Sequence, residues 1–265
     1  MAAAEPRGAA FFDLDKTLME GSSAIQFARA GYRSGLISRR QMARDAWENL
    51  RFRLEGSTDE RSDALRERIL AGIAGERVVD LMRLGPDVMA GILPRIYREV
   101  LEEAWAHQDA GRPSYIVTAA SQELAESLAR VLVLDGGIGM RSEVHEGRYT
   151  GRADGPFTYR EGKAQAIREL AEREGIDLSE SFAYSDSESD LPMLRAVGNP
   201  VAVNPDRELE RVAREEGWRI MRFEHLGRRL KFGAAALLLA LLGGGGGYAA
   251  ARKRPRRRVW PLRNG

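Results

Sequence analysis

Residues 11–18 read Phe-Phe-Asp-Leu-Asp-Lys-Thr-Leu. Asp13 and Asp15 stand one residue apart behind a short apolar run, Ala9 to Phe12, that has the character of a buried strand. The pair lies where that strand ends and the backbone opens into a loop, and in an open α/β sheet function concentrates at this carboxyl edge. Two carboxylates so close cannot both lose their water without a cation or a shared proton. The pair therefore asks for a metal ion.

Further candidates recur at the ends of later strands. Thr118 closes Ser-Tyr-Ile-Val-Thr, and a hydroxyl beside free backbone N–H groups suits a phosphate oxygen. The same residue type also serves as a helix N-cap. Lys163 follows Gly162 near a helix start, where the helix dipole disfavours a cation, so it is either held for an anion or exposed on the surface. Asp186 and Asp190 flank Ser-Glu-Ser directly after an apolar stretch, Phe182 to Tyr184. A hard cation such as Mg²⁺ prefers few carboxylates, other oxygen ligands and retained waters. Asp13, Asp186 and the carbonyl of Asp15 supply such a set, although an Asp-Ser-x-x-Asp turn alone also caps helices.

The elements that position these residues follow from periodicity. Residues 22 to about 107 read as helical, with apolar residues at three- and four-residue spacing over Arg39–Leu54, Asp59–Ala74 and Ile92–His107. Strands return at Ser114–Thr118, and a helix follows from about Ser121 to Leu132. Alternation about Glu146-Gly147 predicts a hairpin over Glu143–Arg152. Gly162–Glu174 reads as helix, Ser181–Tyr184 as strand and Ser189–Val197 as helix. Val201–Val203 and Trp218–Phe223 read as strands around a helix over Asp206–Glu216. Strand, helical block, then alternating strands and helices describes a parallel α/β sheet interrupted by an all-helical insertion. Hinged just after the carboxylate pair, that insertion is placed to act as a lid.

Composition narrows the class. The chain is 43% apolar and 30% charged, an ordinary globular balance, and has no cysteine for a disulfide, zinc-thiolate site or thiol nucleophile. Met1–Gly8 lacks an apolar core of signal-peptide length. From Arg228 onward stand ten Lys and Arg and no acid, which leaves 31 basic against 39 acidic side chains before it, a net of −8 behind the overall +2. An acidic body argues against a nucleic-acid-binding core. Residues 232–251 carry no charge and are long enough to span a bilayer at helical rise, though Gly243–Gly247 weakens a helix there. With basic flanks on both sides, this stretch reads as a membrane anchor; the plainer reading is a flexible apolar linker or a docked helix.

Together these residues resemble the haloacid dehalogenase superfamily of aspartate-nucleophile phosphatases, on the phosphoserine phosphatase-like branch, subfamily IB. The signatures stand in family order over about residues 9–225: Asp13-Leu-Asp15-Lys-Thr17, Thr118 after an apolar strand, Lys163, and Asp186-Ser-Glu-Ser-Asp190. The resemblance implies a Rossmann-like core over 9–20 and 108–227 and a helical C1 cap over 21–107. Around these lie a disordered 1–8, a membrane segment over 228–252 and a basic tail over 253–265. It implies Asp13 as nucleophile, Asp15 as acid and base, and Lys163, Thr17, Thr118 and Ala119 as phosphate contacts. Mg²⁺ falls to Asp13, the Asp15 carbonyl and Asp186, with Asp190 in support.

Two departures matter. Ser185 replaces the Gly usual before the fourth-signature Asp. Nine residues past the nucleophile, where phosphoserine phosphatases hold a Glu for the substrate ammonium, stands Ser22. The leading expectation is a Mg²⁺-dependent phosphomonoesterase for a small-molecule or lipid-related phosphate, cytoplasmic and attached to the cell membrane through 232–251. Phosphoserine is the alternative substrate. The rival reading is a non-catalytic scaffold whose basic tail binds anionic lipid or nucleic acid. Arg51, Arg53 and Arg66 are candidate anion contacts in the cap, or simply solvated helix faces.

Overall fold

The computed structural model of the chain describes residues 7–35, 67 and 69–223. At its centre lies β1 (Ala10–Asp13), buried along its whole length. Only a strand covered on both faces can be so uniformly apolar, which is the mark of a parallel sheet. Phe11 stacks on Tyr115 and Phe12 on Tyr184, with ring centroids 5.9 and 4.4 Å apart, so each face of β1 is tied to a neighbour.

Those neighbours are β2 (Ser114–Ser121) and β6 (Phe182–Ser185), both parallel to β1. The six-stranded sheet is completed by β3 (Gly136–Met140), β7 (Asn199–Val203) and β8 (Arg219–Met221), in the order β3-β2-β1-β6-β7-β8. Every pairing is parallel. The expected parallel α/β core is therefore present. Register sets the site: Asp13 pairs with Val117, and Phe12 with Tyr184, so the end of β1 lies abreast of the end of β6 and beside the middle of β2.

The helices of the described chain include α1 (Ser23–Arg33), α2 (Val78–Met82), α3 (Gly85–Ile92), α4 (Arg98–Asp109), α5 (Gln122–Val131), α6 (Glu161–Glu174), α7 (Leu191–Arg195) and α8 (Arg207–Glu215), and residues 69–73 are helical as well. β4 (Ser142–His145) and β5 (Arg148–Ala153) form the expected antiparallel hairpin. Its turn falls on Glu146 and Gly147, both at positive φ (49° and 74°), as a tight hairpin turn requires.

Three sequence readings are corrected. No strand was expected at Gly136–Met140, yet β3 pairs with β2 there. Its glycines hide it: a Cβ on Gly137 would lie 2.3 Å from Ala125 backbone, and one on Gly139 2.7 Å from Ser121 backbone, so bare backbone lets α5 approach. The helix expected over Ile92–His107 is interrupted, since α3 ends at Ile92, a 3₁₀ turn spans Leu93–Arg95 and α4 starts at Arg98. Finally, α4 belongs to the sheet layer rather than to a cap over 21–107. Ser114 Oγ donates to the Ala104 carbonyl at 2.8 Å, and His107 reaches Tyr184 of β6 at 2.8 Å.

The insertion instead leaves and rejoins the core through a narrow neck. Glu20 N donates to the Arg95 carbonyl at 2.7 Å, Tyr97 N donates to the Leu18 carbonyl at 2.9 Å, and Met19 bridges Ile96 antiparallel. The helix expected over Arg39–Leu54, most of that over Asp59–Ala74, and Arg51, Arg53 and Arg66 lie outside the described residues. So do 1–6 and the apolar segment 232–251. Among the described residues no helix is long and apolar enough to cross a membrane.

Candidate active site at the carboxyl edge

β1 delivers Asp13 at its last residue, and the chain then turns sharply, with Lys16 in the left-handed region (φ 64°) and Leu18 N donating to the Asp13 carbonyl at 3.2 Å. β6 ends at Ser185, so Asp186 opens the loop beside Asp13, and a 3₁₀ turn over Glu188–Asp190 brings Asp190 back toward the sheet. α6 supplies Lys163 from its first turn. Its start is fixed by Gly162, where a Cβ would lie 1.7 Å from the Phe157 carbonyl oxygen, and by Arg160, held at φ 52°. Non-glycine residues in that region carry strain, which gathers at functional sites.

Lys163 is buried, not the exposed surface lysine that its sequence position also allowed. Its Nζ lies 2.5 Å from Asp13 Oδ1 and 2.7 Å from Asp190 Oδ2. Ser185 Oγ donates to the same Asp190 oxygen at 2.6 Å. Thr17 Oγ1 donates to Asp186 Oδ1 at 3.4 Å, and Lys16 Nζ stands 3.6 Å from Asp186 Oδ2. Five predicted residues are thus buried at one sheet edge in two bonded groups, Lys163 with Asp13 and Asp190, and Thr17 with Asp186.

Thr118 is buried in β2, one residue past the partner of Asp13, with Ala119 next. It accepts a hydrogen bond from Ala120 N at 3.2 Å. The cap of α5 falls to Ser121, which accepts from Leu124 N at 3.4 Å, so Thr118 is not the helix cap. Asp15 is set apart from the buried cluster by its side-chain bonds, made to Ser22 and Ser23 at the head of α1.

The electrostatics show what the cluster lacks. Asp13, Asp186 and Asp190 are buried, and Lys163 is the one buried cation among the described residues. Burial pushes the Asp13 carboxyl up to about 8; Lys163 pulls it down, while Asp190 and Asp186 push it further up. Burial likewise raises Asp186 to about 6, against the opposing pull of Lys16. Burial works against the Lys163 ammonium, but Asp13 and Asp190 together outweigh it and hold the lysine firmly charged. Asp190 Oδ1 is buried with no hydrogen-bond partner. Carboxylates in excess over cations, with one oxygen unsatisfied, fit a hard cation at this point. Among the described residues no three carboxylate or imidazole side chains converge as a ready-made cage. An ion here would take two carboxylates and complete its shell with backbone and water oxygens, as Mg²⁺ does.

Sequence reasoning missed two contacts. Ser185 read only as the replacement of a Gly, yet its hydroxyl anchors Asp190. Ser22 read only as a missing Glu, yet it binds Asp15. No local pattern signals either bond, because each depends on the path of a loop.

An open parallel sheet with aspartates and a buried lysine gathered at its carboxyl edge defines a Rossmann-like α/β core, interrupted by an insertion after β1. Residues 10–195 match the family of haloacid dehalogenase-like hydrolases. A phosphoserine phosphatase, SerB1, of Mycobacterium tuberculosis is 40% identical over 217 residues, covering 81% of this chain and 70% of that protein. A histidinol-phosphatase of Neisseria meningitidis is 30% identical over 220 residues, covering 81% and 98%. Among solved structures, a protein of unknown function from Bordetella pertussis superposes with a TM-score of 0.72 at 29% identity, covering 82% of this chain and 98% of that one. The chain belongs to the haloacid dehalogenase-like hydrolase family, on its phosphoserine phosphatase-like branch.

Proposed function

We propose that the protein is a Mg²⁺-dependent phosphomonoester hydrolase working through an aspartyl phosphate on Asp13. The observation that carries this reading is the buried Lys163 joining Asp13 to Asp190 across the ends of β1 and β6. Asp13 attacks phosphorus, and the ester oxygen departs with a proton from Asp15. Asp15 then takes a proton from the water that attacks the aspartyl phosphate, which releases phosphate and restores the Asp13 carboxylate. Lys163, Thr17, Thr118 and the Ala119 N–H group hold phosphoryl oxygens as their charge develops. Mg²⁺ would be held by Asp13, Asp186 and the Asp15 carbonyl, with Asp190 in support, and would supply positive charge that offsets the repulsion of nucleophile and phosphate.

The substrate is a small phosphate monoester. Relatives that carry phosphoserine phosphatase and histidinol-phosphatase names place amino-alcohol phosphates in the test panel. Ser22 offers no carboxylate to a substrate ammonium, so phosphoserine is the weaker member of that panel. A tether through 232–251 would add lipid phosphates by raising their local concentration. Fractionating the full chain against one cut at Gly227 tests that tether, and a wholly soluble full chain overturns it.

The reading is tested by phosphate release from p-nitrophenyl phosphate. Release that requires Mg²⁺ and is lost in Asp13→Asn supports it. An inactive wild type across a broad phosphoester panel overturns it.

A further inference from the structure

The Asp15 side chain bonds to two consecutive residues at the start of α1. Its Oδ1 accepts from Ser23 N at 2.7 Å and its Oδ2 accepts from Ser22 Oγ at 3.2 Å. Ser22 is the N-cap residue of α1, yet its hydroxyl makes no capping bond to its own helix. A serine at this position ordinarily accepts from the second or third helical N–H. Here the hydroxyl points backward to Asp15, and Asp15 covers the first helical N–H in its place.

The exchange has a consequence for chemistry. Asp15 sits in the turn after β1, partly buried, with two rotatable side-chain bonds. Two donors from a helix start fix both carboxylate oxygens in one plane. Holding a proton donor within reach of a reacting atom, in one orientation, is a large part of what an active site contributes. The neck between Leu18–Glu20 and Arg95–Tyr97 fixes the chain just before α1, so the donors are anchored as well.

We propose that Ser22 is a positioning residue that holds the acid and base Asp15 in its working orientation. The proposal rests on the phosphatase reading for the proton transfers assigned to Asp15. It gives the position where phosphoserine phosphatases hold a substrate-binding Glu a different task in this chain. The hydroxyl serves the proton-transfer group, not the substrate.

Leaving-group dependence separates this role from a merely structural one. An ester of an acidic phenol departs with little help, whereas phenol itself needs the proton. We would measure kcat/KM for p-nitrophenyl phosphate and for phenyl phosphate in the full-length wild type, Ser22→Ala and Ser22→Thr. Ser22→Ala should lose about tenfold more on phenyl than on p-nitrophenyl phosphate, a fraction of the roughly 100- to 10,000-fold general acid catalysis supplies. Ser22→Thr, which keeps the hydroxyl, should restore the wild-type ratio. Equal losses on both esters, or no loss on either, would overturn the role of Ser22 while leaving the phosphatase reading intact. A wild type inactive on both esters and across the broader phosphoester panel would overturn the phosphatase reading and this inference with it.

Discussion

Lys163 Nζ stands 2.7 Å from Asp190 Oδ2, while the second oxygen of the same carboxylate, Oδ1, is buried and unpartnered. One lysine thus holds two buried carboxylates, Asp13 and Asp190, and leaves one Asp190 oxygen without a partner. That shortfall links the fold to the proposed metal, because a further positive charge here would offset the buried negative charge.

Removing the lysine should therefore harm stability as well as activity. In Lys163→Met the buried carboxylates lose their counter-ion, and breaking a buried pair costs about 3–5 kcal/mol. Denaturant unfolding should show a loss of that size, growing as pH rises and the carboxylates ionise. A variant as stable as wild type would mean that the pair contributes nothing to the fold.

Metal binding should depend on pH in a definite sense. The Asp13 carboxyl, pushed up to about 8 without metal, must give up its proton to become a ligand. Without metal, its burial erodes stability as pH rises from its ordinary value near 4 toward 8, since the folded state retains the proton that the unfolded state releases. The rise in thermal midpoint caused by Mg²⁺ should accordingly be larger at pH 8 than at pH 6, and blunted in Asp186→Asn. Saturation at about 100 times the dissociation constant adds roughly 2.7 kcal/mol. A Mg²⁺ effect that is flat with pH would contradict the Asp13 assignment.

His107 gives a second, opposite pH effect away from the metal. Arg112 Nε donates to His107 Nδ1 at 2.9 Å, which leaves Nε2–H to donate to Tyr184 Oη at 2.8 Å. Burial, with Arg112 adding repulsion, lowers its pKa to about 4. The unfolded chain takes up the proton first, so the contribution is complete above about pH 6.5 and is lost as pH falls toward 4. Stability measured over that window should fall with acid, and the slope should flatten in His107→Gln. An unchanged slope would remove His107 from the account.

Gly162 should prove intolerant of the smallest side chain. Its Cβ would lie 1.7 Å from the backbone oxygen of Phe157, so Gly162→Ala must shift the start of α6 and carry Lys163 with it. Overpacking of this kind costs about 1–3 kcal/mol. Activity should fall further than stability alone explains, because displacements near 1 Å are enough to spoil catalytic alignment. Wild-type kcat with p-nitrophenyl phosphate would show that the helix start is free to adjust.

Much of this architecture was legible because local pattern and global role agree. β1 is apolar on both faces, and the hairpin about Glu146-Gly147 combines alternation with a turn signal. Asp13 and Asp186 sit at strand ends that the sequence marks clearly, with Asp190 in the turn that follows. β3 was not legible, since its glycines remove the side chains that mark a strand in order to admit α5. The extent of the insertion was misread because α4 is as amphipathic as a cap helix; only its bonds through Ser114 and His107 assign it to the sheet. The burial of Lys163 and the bonds of Ser22 and Ser185 depend on distant loops meeting, which no window of sequence contains.

The central claim is that Asp13 becomes covalently phosphorylated. Its most direct test is acid quenching during turnover of a radiolabelled phosphate monoester, followed by mapping of the label. The account predicts label on the peptide that contains Asp13, removed by hydroxylamine and absent from Asp13→Asn. Turnover with no protein-bound label, or label that persists in Asp13→Asn, would contradict it.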